Sequence, residues 1–212
     1  MPLTLEHLIP PPLLTADRPS EIWRSEVTIG EGKRVFIQAP SGTGKSTLIH
    51  LLYGLRPDYD GRALWDTTDL RSLDAEALAA QRAGDVSIIF QDLRLFPELT
   101  LWENLEVKRV LTNTVPAHEV ESWIARLGLS HRRDALASTL SYGERQRTAV
   151  LRALLQPFKW LLMDEPFSHL DEENTGLAAA LIDEVVGRSK AGFIYADLDD
   201  NTHFSYTKKY RL

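Results

Sequence analysis

The amino-acid sequence predicts an α/β fold with an all-helical segment inserted into it. Two observations carry this. Short, continuous apolar runs recur at residues 35–39, 86–90, 160–163 and 193–196, the pattern of strands covered on both faces in a parallel sheet. Between about residues 93 and 155 no such run occurs, and apolar residues recur there at helical spacing instead.

The elements follow in order. Ile9-Pro10-Pro11-Pro12-Leu13 suits neither a helix nor a central strand, so it reads as an irregular lead-in or an edge segment. The run at 35–39 is the first clear strand, and Pro40-Ser41-Gly42-Thr43-Gly44 ends it with loop chemistry. Leu48, Leu51 and Leu52 then predict a helix from Lys45 to Tyr53, stopped by Gly54. After the strand at 86–90, Thr100 and Glu103 form a capping box that opens a helix near Leu101. Val120, Trp123, Ile124 and Leu127 line one face of the next helix, and Gly128 closes it. A second capping box, Ser141 with Glu144, starts another. The strand at 160–163 is followed by a helix from Asp171 to about Val186, the strand at 193–196, and a last strand within 204–212. The expected organisation is one domain over 1–212, with a helical subdomain inserted at 92–157.

Composition narrows the function. With 212 residues, 43% of them hydrophobic and 25% charged, the chain is long enough to bury a full core. A net charge of −6 argues against nucleic acid as a partner. The absence of cysteine excludes disulfides and thiolate metal sites. No stretch approaches the ~18 consecutive apolar residues of a membrane span. Residues 1–7 lack a basic region followed by an apolar run, so no secretory signal is expected. If the chain serves a membrane, another chain supplies the spans.

Three motifs carry chemistry. Ala39-Pro40-Ser41-Gly42-Thr43-Gly44-Lys45-Ser46-Thr47 follows a strand and opens a helix, the context of a phosphate-binding loop. Glycines let backbone N–H groups turn inward, and the helix N-terminus adds positive charge. Lys45 can reach the β- and γ-phosphates of ATP, and the Ser46 hydroxyl can ligate Mg²⁺. Ala39 stands where a first glycine is usual, which costs little if that residue keeps an extended backbone. The second motif, Trp160-Leu161-Leu162-Met163-Asp164-Glu165-Pro166, delivers two carboxylates to a strand's C-terminal end. Asp164 suits the Mg²⁺ shell and Glu165 the polarisation of an attacking water. The third, Leu140-Ser141-Tyr142-Gly143-Glu144-Arg145-Gln146-Arg147, is a capped helix start with free N–H groups, and alone it reads as no more than that.

Together these motifs resemble the nucleotide-binding subunits of ABC transporters over nearly the whole chain. The resemblance implies a P-loop NTPase core of the ABC type, with a mixed sheet and an inserted α-helical subdomain. Leu140 to Glu144 is similar to the family's signature motif except at Tyr142. The likeness implies a head-to-tail dimer with a second ATP-binding subunit, whether a second copy or a different chain. Ser141 and Gly143 of one subunit would then meet the γ-phosphate held by the other's Lys45. Gln91 matches the glutamine that touches Mg²⁺ and the lytic water, and Ser168-His169-Leu170-Asp171 resembles the loop after the catalytic acids. The implied role is an ATPase that drives separate membrane permease subunits from the cytoplasmic face, nearest the lipoprotein-release, macrolide-export and cell-division type. Only 96 residues separate Lys45 from Ser141 (141 − 45), which leaves no room for the long coiled coils of chromosome-maintenance relatives. The groove that receives the permease is expected around Phe96 to Leu105, with Phe96 and Trp102 in it.

Two departures qualify the likeness. Asp197 occupies the position where the family places a histidine against the γ-phosphate, and an aspartate there repels that phosphate unless Mg²⁺, water or a proton intervenes. Attenuated turnover follows as an alternative, with the chain acting as an ATP-binding clamp. The second departure is the missing aromatic for the adenine. Ile9 and the proline run stand in its place, while Trp23 reads as a core residue.

Overall fold

A computed structural model describes residues 1–15 and 19–212. Its strands, in chain order, are β1 (Leu3–Ile9), β2 (Glu26–Ile29), β3 (Arg34–Gln38), β4 (Asp60–Trp65), β5 (Thr68–Asp69), β6 (Val86–Ile89), β7 (Trp160–Asp164), β8 (Gly192–Asp197) and β9 (Lys208–Arg211). The helices are α1 (Lys45–Leu52), α2 (Ala75–Gly84), α3 (Leu101–Thr112), α4 (Ala117–Arg126), α5 (Tyr142–Leu154) and α6 (Glu172–Ser189).

Five strands form one sheet in the order β6-β7-β8-β3-β9, and every neighbouring pair is parallel. Side chains on a strand alternate between faces, and here both faces are covered. Leu161 and Met163 of β7, Phe193 and Tyr195 of β8, and Phe36 of β3 enter a core shared with α3–α6. Trp160, Leu162, Ile194, Ala196, Val35 and Ile37 point the other way, into a core built with α1 and the second sheet. Continuous apolar runs are the consequence, which is why these strands can be read from sequence.

The second sheet is antiparallel, in the order β2-β1-β4-β5. It corrects the expectation for the N-terminus. Of Ile9 to Leu13, expected to be irregular or an edge, only Ile9 departs, as the last residue of a central strand. β1 lies between β2 and β4 and buries Leu3, Leu5, Leu8 and Ile9. Only the proline run itself is irregular, forming a single 3₁₀ turn at Pro11–Leu13. A register shift between Glu6 and Ile9 accommodates His7 in the left-handed region at φ 49°. Gly61 faces that shift at φ 80°, where a Cβ would stand 2.4 Å from the Glu6 carbonyl oxygen, so only glycine fits.

The helices α3, α4 and α5 lie between β6 and β7 in sequence. Both arms of the Thr100/Glu103 box are formed at the start of α3, and Gly128 follows α4 at φ 68°. α6 runs to Ser189, three residues beyond the expected end, and Lys190 closes it in the left-handed conformation. Among the described residues, no helix is long and apolar enough to cross a membrane.

Candidate nucleotide site

Parallel strands place all their C-terminal ends on one edge of the sheet. The loop after β3, the turn after β6 and the acids at the end of β7 therefore meet there. Gly42 and Gly44 adopt φ of 78° and 97°, a region closed to most side chains. Ala39 is fully buried and is not among the positive-φ residues, so the alanine costs the loop nothing. A cleft of about 340 Å³ opens above. Ser41, Gly42, Gly44 and Lys45 to Thr47 line one side, Gln91 and Glu165 another, and Pro10, Pro12 and Leu13 a third. Pro10, Pro12 and Leu13 thus supply an aliphatic wall where an aromatic is missing. Ile9 does not line this cleft; it borders a neighbouring pocket with Trp23.

The side chains at the cleft are joined to one another. Lys45 Nζ forms an ion pair with Glu165 Oε1 and lies 3.5 Å from the Ala39 carbonyl oxygen. Gln91 donates from Nε2 to Glu165 Oε2 at 3.2 Å, and Ser46 donates from Oγ to Gln91 Oε1 at 3.3 Å. Glu165 holds a left-handed backbone at φ 46°, a conformation that costs a non-glycine residue about 1–2 kcal/mol. Its amide donates to the Ala196 carbonyl at 3.0 Å, which fixes that turn against β8.

Asp164 behaves differently. It is fully buried, and among the described residues neither carboxylate oxygen has a hydrogen-bond partner. Burial pushes its pKa up to about 6, against the opposing pull of the Ser46 hydroxyl and the Lys45 ammonium. A buried, unpartnered carboxylate is costly. With the Ser46 hydroxyl and the Gln91 amide oxygen nearby, it is also an all-oxygen donor set of the kind Mg²⁺ takes. The residues present fit that ion.

Ser141 and Gly143 sit elsewhere, at the start of α5. The Ser141 hydroxyl accepts from the Glu144 amide at 3.2 Å, and Glu144 accepts from the Ser141 amide at 2.7 Å. Arg132 steadies Glu144 through Nε at 2.9 Å. Ser141 is exposed, and neither it nor Gly143 lines the cleft that holds Lys45. Asp197 is also absent from the lining residues. Its carboxylate accepts from the Tyr195 hydroxyl on its own strand and from the Leu198 amide at 2.7 Å. His203 stands edge-on to Phe167, with ring centroids 5.4 Å apart.

Four residues matter that the motifs did not single out for a role. Gln146 is buried on α5, donates to the Glu165 carbonyl at 3.3 Å and accepts from the His169 amide at 3.2 Å. Arg152 donates to the carbonyls of Leu93, at 2.7 Å, and Arg94, at 2.6 Å. Tyr142 donates to the Gln91 carbonyl at 3.3 Å and packs edge-on to His169, with centroids 4.2 Å apart. α5 therefore grips the turn after β6 at both of its ends. Trp23 reaches the phosphate loop. A polar Gln146 in register with the buried Ala149 and Val150 was the one available signal for this set.

The two residues expected in a permease groove have different surroundings. Phe96 is 48% exposed and lines a depression with Phe90, Val107 and Leu111. Trp102 is instead turned beneath Arg133, whose guanidinium lies 4.2 Å from the ring centroid.

Fold and site together define a nucleoside-triphosphate-binding domain. Comparison with known proteins makes this specific. Residues 23–168 match the ABC transporter family. The chain is 33% identical over 178 residues to the lipoprotein-releasing system ATP-binding protein LolD of Shewanella denitrificans, covering 82% of this chain and 76% of that protein. It is 39% identical over 153 residues to the LolD of Oleidesulfovibrio alaskensis, covering 70% and 66%. In solved structures its fold is similar to the dimeric bacterial ABC transporter cassette MJ0796, with a TM-score of 0.78 at 23% identity over 93% of this chain and 88% of that one. A post-hydrolysis state of MJ0796 with ADP and Pi matches with a TM-score of 0.77 at 24% identity, over the same 93% and 88%. This chain belongs to the ABC transporter family, as an ATP-binding subunit of the lipoprotein-release type.

Proposed function

We propose that the chain binds and hydrolyses ATP, closes on a second ATP-binding subunit when it does so, and drives a separate membrane permease from the cytoplasmic face. The observation that carries this is the convergence of Lys45, Ser46, Gln91 and Glu165 on one cleft, with Asp164 buried beside Ser46. Lys45 and the amides of residues 41–47 take the phosphates. Ser46, Asp164 and Gln91 hold Mg²⁺, which supplies charge neutralisation at the phosphoryl group when bound. Glu165 orients and polarises the water once Lys45 has a phosphate to pair with. The exposed start of α5, with Ser141 and Gly143, serves the nucleotide of the second subunit, because it does not line the cleft of its own. The lipoprotein-releasing relatives support a permease of that type. Phe96, Val107 and Leu111 offer its docking depression.

The test is phosphate release from MgATP, with a Lys45→Ala variant as control. Release above the control is expected, with stimulation when the permease is present. Binding without release above the control would overturn the hydrolytic reading. One observation favours the second reading, an ATP-binding clamp with little turnover. The Asp197 carboxylate stands at the position of the family's histidine and is already held by Tyr195 and the Leu198 amide. Loss of permease co-purification in a Phe96→Asp variant, with ATPase retained, is the expected result for the docking surface. Unchanged co-purification would remove Phe96 from it.

A further inference from the structure

Trp23 lies well outside the Gly-Lys-Ser-Thr run, yet it is buried against it. Its side chain is 8% exposed. The indole Nε1–H donates to the Thr43 carbonyl at 3.0 Å. Among the described residues no other group donates to the Thr43 carbonyl, so the indole sets its direction.

A trans peptide is planar, and its C=O and N–H point to opposite sides. Holding the Thr43 oxygen toward Trp23 therefore turns the Gly44 N–H away from Trp23. Gly44 and its neighbours line the cleft on that other side. Among the described residues this half-buried N–H has no acceptor, and it opens onto the cleft. It is a donor waiting for an anion.

Beside the left-handed backbone at φ 97°, Leu13 and the indole leave little room for a side chain at residue 44. A Cβ there would stand 3.1 Å from Trp23 Cζ2 and 2.7 Å from Leu13 Cδ1. Trp23 is itself fixed from behind. The Ser20 hydroxyl accepts from the Trp23 amide at 2.9 Å and the Ile22 amide at 3.1 Å. Glu21 is tied to Arg211 of β9 by two hydrogen bonds, at 2.9 and 2.7 Å, and the Arg24 amide donates to the Leu8 carbonyl of β1 at 2.9 Å. Both sheets thus anchor the residue that aims the loop.

We propose that Trp23 is a positioning residue for nucleotide binding, which orients the Gly44 amide toward the phosphates through its hydrogen bond to the Thr43 carbonyl. The inference rests on the ATP-binding reading above and adds a residue to it. Trp23→Phe keeps most of the packing and removes only the donor. The expected result is about fivefold weaker binding of MgADP and of MgATP alike, the weight of one hydrogen bond. A matching rise in KM with kcat within about twofold is expected, because the contact is made equally in the ground and transition states. Binding of both nucleotides within about twofold of wild type, at an unchanged Tm, overturns the proposal.

The wild-type protein offers a second readout if the variant does not fold. Among the described residues, three indoles donate to backbone carbonyls: Trp23 to Thr43, Trp65 to Leu52 and Trp160 to Met1. On adding MgADP, the Trp23 indole N–H resonance, assigned through its contacts to Leu13, shifts while those of Trp65 and Trp160 stay. Equal shifts in all three, or none, overturn the proposal. If the wild type binds no nucleotide, the ATP-binding reading itself fails, a result distinct from equal binding by wild type and variant.

Discussion

The two halves of the proposed ATP site are built on opposite principles. The cleft at the end of β3 and β7 is crowded with charge that is only partly compensated. Lys45 and Glu165 are paired, Gln91 links Glu165 to Ser46, and Asp164 is buried with no hydrogen-bond partner among the described residues. The start of α5 is exposed and already satisfied, since Ser141 and Glu144 cap each other and Arg132 neutralises Glu144. The first half is incomplete without a cation and an anion. The second is complete as a fold but faces no nucleotide of its own. The lesson is that the cleft stores a cost that ligands relieve, whereas the helix start is rigid by itself and, in the proposed dimer, is presented to a neighbour.

The largest expected effect comes from breaking the cleft at its centre. Glu165→Gln should lower phosphate release at least ~100-fold, the scale of a lost general base, while nucleotide titration still shows binding. Unaltered release would reduce Glu165 to a counterion for Lys45.

Asp164→Asn sharpens the contrast through stability. The folded-state pKa of about 6 lies above the ordinary aspartate value of 3.8, so the folded protein holds the extra proton between these pH values. Stability from this group is therefore lost as pH rises through about 4 to 6, and the penalty is fully present above 6. At about 1.36 kcal/mol per pKa unit this amounts to at most ~3 kcal/mol. In urea melts with chelator at pH 7.5, Asp164→Asn should exceed the wild type by up to that amount, and the advantage should vanish by pH 4. Added Mg²⁺ should stabilise the wild type alone.

The capped helix start predicts a smaller and simpler response. Ser141→Ala should cost about 1 kcal/mol in melts, and Ser141→Gly only a few tenths, with no pH dependence comparable to that of Asp164. Both should depress phosphate release at protein concentrations where the dimer forms. The smallest effect is expected from Tyr142→Phe. It removes one long hydrogen bond from a partly exposed hydroxyl, so its cost should stay below ~0.5 kcal/mol. A larger loss would mean that the Gln91 turn depends on the signature segment.

The parallel sheet was legible because covering both faces forces every strand residue to be apolar, as in Trp160-Leu161-Leu162-Met163. The antiparallel sheet was not. β1 alternates, is bent at His7 and runs straight into three prolines, so its signal was short and its neighbour misleading. In the site, Lys45, Ser46, Asp164 and Glu165 were legible because each motif is contiguous and its chemistry is local. Gln91 was reached through family resemblance. Gln146, Arg152 and Trp23 act through contacts 19, 59 and 20 residues away, and no local pattern announces such a partner. Tyr142 was visible only as a departure, and its tie to Gln91 spans 51 residues.

The ion pair between Lys45 and Glu165 has a consequence of timing. Two groups that the proposed reaction needs are occupied with each other in the resting cleft. In the proposed reaction an arriving phosphate competes for the lysine, and only then is the carboxylate released to face water. Readiness is thereby tied to occupancy, as in a safety interlock. The same pair that quiets the empty cleft defines the order in which the working one must be assembled.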